Sequence, residues 1–134
     1  MRETYPSWIG LEREDSRVIG RRQDPASILP LSSSAFHILI ALAGGERNGY
    51  SIGKDVEAAT AGKVRLGPGT LYRLLKQMAT DGWIVESQRD DADPLRRRYY
   101  RLTPWGRRIA LAEAARLEEL VRLARSQRLL QAPG

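Results

Sequence analysis

Four side chains on one short stretch carry the chemistry to hold a polyanion. In LGPGTLYRLLKQMATDGW, residues 66–83, Thr70, Tyr72, Arg73 and Lys76 share a face with Gln77, and no carboxylate follows until Asp81. A guanidinium makes forked hydrogen bonds to phosphate oxygens or a guanine edge, and an ammonium adds a point charge. Gly67 and Gly69 are small, so a helix starting here can approach a duplex closely, and its free N–H groups favour phosphate. GPGT is not a nucleotide-binding loop, since no lysine follows its second glycine and no strand clearly precedes it. A second cationic cluster, Arg96, Arg97 and Arg98, lies further along the chain.

These residues need elements to hold them. Pro68 suits a first helical turn, Thr70 is a helix-start residue, and either Gly67 or Gly69 can turn the chain sharply. Leu71, Leu74, Leu75 and Met78 then recur at helical spacing, and Gly82 can stop the helix, which gives residues 68–81. Upstream, residues 32–43 read as a helix capped by Ser32 or Ser33. Its face is Phe36, Leu39, Ile40 and Ala43, widened by Ala35, Ile38 and Leu42. Asn48-Gly49 is a turn. A helix over 51–60 follows, with Ile52, Val56 and Ala59 inward and Lys54, Asp55 and Glu57 outward.

Past Gly82 the period changes to that of strands, at 83–88 and 96–103, around a polar loop at 89–95. Thr103-Pro104 then opens a helix running to about residue 130. Ile109, Ala110, Leu117, Leu120, Val121 and Ala124 fall on one stripe of it, with Glu113 elsewhere. A helix of ~25 residues is about 38 Å long. That is long for so small a domain, so the stripe is expected to dimerise; the alternative is that it folds back on its own domain.

Totals narrow the class. The chain has 134 residues and a net charge of +6. Residues 1–30 hold five basic and five acidic side chains, so the whole excess lies beyond them. A basic domain favours polyanionic partners. There are no cysteines and one histidine, His37, and no convergent acid–base pair. No catalytic group, cofactor or metal site is expected. No apolar run reaches the ~20 residues of a membrane helix, and the expected setting is soluble and cytoplasmic. Residues 1–30, with Tyr5, Trp8 and Ile9 among turn residues, read either as a partly flexible extension or as an arm that docks.

Three helices followed by a hairpin are the order of a winged helix-turn-helix, mainly α with a small β-hairpin, plus a long C-terminal dimerisation helix. The divisions are 1–30, the winged domain 31–103, the helix 104–130 and a tail 131–134. On LSSSAFHILIALAGGERNGYSI, GPGTLYRLLKQMATDGWI and RRRYYRLTPWGRR, the chain resembles the PadR-like transcriptional regulators over about residues 31–125. The resemblance implies a homodimeric DNA-binding repressor with a recognition helix at 69–81. It also implies release from DNA by an effector, a small aromatic or other hydrophobic molecule. By motif match, Tyr50, Thr70, Tyr72 and Arg73 lie at or near DNA. Ser51, Lys63, Gly69, Lys76, Arg96, Arg97 and Arg98 complete the expected contact set.

Tyr72 alternatively braces the helix against the core. Asp90, Asp91 and Asp93 in the wing loop oppose phosphate unless they pair with Arg96, Arg97 and Arg98. The competing functional class is a winged-helix module for protein–protein assembly, without sequence-specific DNA.

Overall fold

The computed structural model describes residues 24–131. Helix α1 is Ser33–Ala43, and the Ser32 hydroxyl caps it by accepting from the Ala35 N–H at 3.1 Å. Its buried side is Ala35, Ile38, Leu39 and Leu42, whereas Ile40 is half exposed and Ala43 is exposed. The expected face was therefore turned by about one position. Apolar residues cover so much of this helix that two stripes compete, and α1 is packed by several other elements.

A two-residue strand, β1 (Arg47–Asn48), comes next. Asn48 ends it and also caps α2 (Gly49–Ala59), its side chain accepting from the Ser51 N–H at 2.7 Å. The expected turn is thus a cap, and the helix starts two residues earlier than its apolar period suggests. Ile52 and Val56 face the core, but Ala59 is exposed.

Helix α3 is Pro68–Thr80, with Gly67 at its N-cap and Leu71, Leu75 and Met78 buried. It ends as a glycine-dependent C-cap. Gly82 has φ +80°, its N–H donates to the Ala79 carbonyl, and the Trp83 N–H reaches the Met78 carbonyl at 2.9 Å.

Strands β2 (Ile84–Gln88) and β3 (Arg98–Leu102) pair antiparallel, with Ile84 opposite Leu102 and Gln88 opposite Arg98. β1 joins the other edge of β3, so the sheet has three strands in the order β1-β3-β2 rather than two. Arg96 and Arg97 lie outside β3, since Pro94–Arg96 forms a 3-10 turn. Tyr100 is core, while Tyr99 lies under the Arg89 guanidinium at 4.0 Å.

The wing is joined to the last helix, α4 (Pro104–Ser126), without slack. The Thr103 hydroxyl donates to the Gly82 carbonyl at 2.6 Å and accepts from the Gly106 N–H at 2.9 Å. The Trp83 carbonyl comes so near that a Cβ on Gly106 would meet its oxygen at 1.9 Å. Helix α4 has 23 residues and stops short of the expected 130.

Residues 24–31 pack onto α4 through a 3-10 turn at Pro25–Ser27. Ile28, Leu29 and Leu31 are partly buried there against the core. This part of the N-terminal extension is docked; residues 1–23 lie outside the described residues.

Candidate nucleic-acid interface

Thr70, Arg73 and Lys76 are all exposed on α3. No side chain caps the helix start and no acidic residue sits in its first turn. The positive end of the helix is therefore left for an external anion. Neither Gly67 nor Gly69 has a positive φ, so neither makes the sharp turn the sequence suggested. A Cβ built on either would meet no atom within 4 Å. What these two glycines leave is clear space above the helix start.

Tyr72 is half-buried rather than displayed with these residues, and its ring lies over Gly49. Burial pushes its phenol up, opposed by the nearby Arg98 charge.

The wing supplies three exposed cations, each with an acceptor. Arg96 lies 3.7 Å from an Asp93 oxygen, and Arg97 donates to the Asp91 carbonyl at 2.9 Å. Arg98 lies 3.6 Å from Glu86, across the strand pair rather than in the loop. Exposed pairs of this kind contribute about 0–1 kcal/mol, so phosphate can replace the acceptors.

Tyr50 joins wing and helices. Its exposed ring has the Lys54 ammonium 5.4 Å and the Arg96 guanidinium 5.5 Å from its centroid. Lys54, outward on α2 as its sequence spacing predicts, belongs to this cationic cluster. Its spacing of four from Tyr50 was a visible signal; the approach of Arg96 was not. Ser51 is half-buried and gives its N–H to the Asn48 cap. Lys63 is exposed in the α2–α3 connection. Arg89 is exposed and pairs with Glu46, which also accepts from Ser87.

The stripe on α4 divides in two. Ile109 is fully buried in the chain's own core and so leaves the expected dimer set, while Ala110 is partly buried against that core. Early α4 is needed to close the domain under α1. Leu117, Val121 and Ala124 are half-buried, and Leu120 and Leu123 are nearly half exposed. Between the halves sits Glu113, which is 2% exposed instead of facing outward. Arg116 donates to both of its oxygens, at 2.7 and 2.9 Å.

Among the described residues, no group of three or more His, Cys, Asp or Glu could hold a metal. None of the helices described is long and apolar enough to cross a membrane.

The sequence model of the transcriptional regulator PadR-like family matches residues 38–112. A Mycobacterium tuberculosis protein, transcriptional regulator Rv3488, is 45% identical over 58 residues, 43% of this chain and 53% of that protein. The chain thus matches about half the length of that curated relative. The fold is similar to a transcriptional regulator from Clostridium thermocellum, with TM-score 0.60 and 25% identity, covering 69% of this chain and 89% of that one. It is also similar to Bacillus subtilis PadR, solved in complex with operator DNA, with TM-score 0.56 and 23% identity, covering 62% and 47%. With more than half of its length, from the middle of α1 to the middle of α4, matched by one family of regulators rather than enzymes, the chain belongs to the transcriptional regulator PadR-like family.

Proposed function

We propose that this protein is a homodimeric repressor that binds operator DNA in the cytoplasm and is released by a small hydrophobic or aromatic effector. The observation that carries the DNA reading is that exposed cations stand on three elements, with Lys54 and Arg96 both within 5.5 Å of the Tyr50 ring centroid. Arg73 and Lys76 stand on α3 behind an open helix start, Lys54 stands on α2, and Arg96, Arg97 and Arg98 stand on the wing. Two α3 helices enter successive major grooves of a pseudo-palindrome, with half-sites one turn apart. Thr70 and Arg73 face base edges, Gly69 permits the approach, and Lys76, Ser51, Lys63 and the wing arginines take phosphates. Leu117, Leu120, Val121 and Ala124, beyond the protomer's own core, pair with a second α4. The effector acts by binding the released state of the dimer better than the DNA-bound state.

Fluorescence anisotropy tests this, with DNA from upstream of the gene against scrambled DNA over a salt series. The upstream DNA is expected to bind far more tightly, with a log–log salt slope of about −0.9 per phosphate contact. Arg73→Ala is expected to abolish the preference. Equal, weak binding of both DNAs by the wild type removes base readout from the function.

A further inference from the structure

Gly49 is the first residue of α2, and its backbone is ordinary helix with no positive φ. Glycine is a poor helix former, so the backbone gives no reason for it. The reason is Tyr72. A Cβ on Gly49 would lie 2.7 Å from both Cε1 and the hydroxyl of Tyr72, and 2.9 Å from its Cζ. The ring fills a notch that only glycine leaves. The same phenol feels the charge of Arg98 on β3, and it acts in turn on the buried Tyr100. Recognition helix and α2 therefore meet at one aromatic ring, and α2 in turn packs on β3 and on the Pro94–Arg96 turn of the wing.

We propose that Tyr72 is a positioning residue, which fixes α3 relative to α2 and to the wing by seating its ring at Gly49; this rests on the DNA-binding reading above. Its part in recognition is indirect. Long Arg and Lys side chains reach phosphates across small displacements of the backbone, but base-edge hydrogen bonds need fixed geometry. Losing the seat therefore costs discrimination before it costs general affinity for DNA.

Gly49→Ala tests this directly. The atoms it meets are the outer end of a side chain, so alanine is accommodated by expelling the ring, and the melting temperature is expected to hold. Affinity for the upstream DNA is expected to fall at least tenfold, with binding of scrambled DNA and the salt slope unchanged. In a Tyr72→Leu background, with no ring to expel, Gly49→Ala should cost less than a further twofold. Additive losses, or wild-type affinity in Gly49→Ala, overturn the proposal.

A readout without DNA separates this from failure of the function itself. The chain has no cysteine, so Lys76→Cys with Arg97→Cys takes one pair of spin labels, measured in protein diluted with unlabelled chains. Gly49→Ala is expected to shift or broaden that distance, and an unchanged distribution overturns the positioning role. If the wild type shows no preference for its upstream DNA, the function reading falls and the distance measurement alone judges Tyr72.

Discussion

A Cβ on Gly106 would collide with the Trp83 carbonyl oxygen, a backbone atom with no flexible side chain to move aside. Gly106→Ala is expected to destabilise the fold by about 3 kcal/mol, the upper range for overpacking. A thermal melt should show a fall of roughly 10 °C or more. Gly69 is the opposite case, because open space surrounds it. Gly69→Ala should leave the melting temperature unchanged or raised, by up to ~1 kcal/mol in stability. Operator binding should nevertheless weaken, and wild-type affinity in that variant would falsify the close-approach role. Thr103 was legible as a helix cap because its partner is three residues away. The demand on Gly106 was not, because the carbonyl it must clear belongs to a strand-leading residue distant in sequence.

Helix α4 closes the core at Ile109 and, on the proposed reading, pairs with a second copy further along, and a 3.6-residue period cannot say which neighbour covers a stripe. Ile109 and Leu120 look equivalent in sequence, yet one is core and the other is 49% exposed. Leu120→Asp is therefore expected to split the dimer in light-scattering chromatography while leaving the helical circular dichroism intact. A variant that remains dimeric sinks the role given to lower α4. Glu113 marks the division. Hydrogen bonds from Arg116 hold its carboxyl below the usual value of 4.5, against burial, which pushes it up; the Leu31 backbone also helps to lower it. A carboxyl lowered by folding adds stability above its unfolded value, and that stability is lost as pH falls through the folded value. Glu113→Gln should thus be less stable than wild type in neutral urea melts, with the gap closing as pH drops below 4.5. A gap that is constant with pH removes the electrostatic account. No local pattern showed this burial, since Leu31 and Glu113 come from opposite ends of the fold.

At the scale of the molecule, the elements that carry a strong local period were readable: three helices, a hairpin and a long final helix. β1 was not, because two residues carry no alternation and the strand exists only by pairing with Tyr99 and Tyr100. The cationic face of α3 was legible for the same local reason. The cluster of Tyr50, Lys54 and Arg96 needed the chain to fold back on itself.

The join at Thr103 has a mechanical consequence. A rod of 23 residues, about 35 Å long, is fixed at one end to the carbonyls of Gly82 and Trp83, which lie between α3 and the wing. Two glycines inserted after Leu102 should give a protein that still binds its operator but no longer lets go when effector is added; release that persists would show that the signal travels by another route. With the join intact, a tilt of about 5° moves the far end of the rod by about 3 Å. On the proposed reading, the far half of α4 is then a lever, and a small wedge between two such arms is enough to pull the two α3 helices out of register.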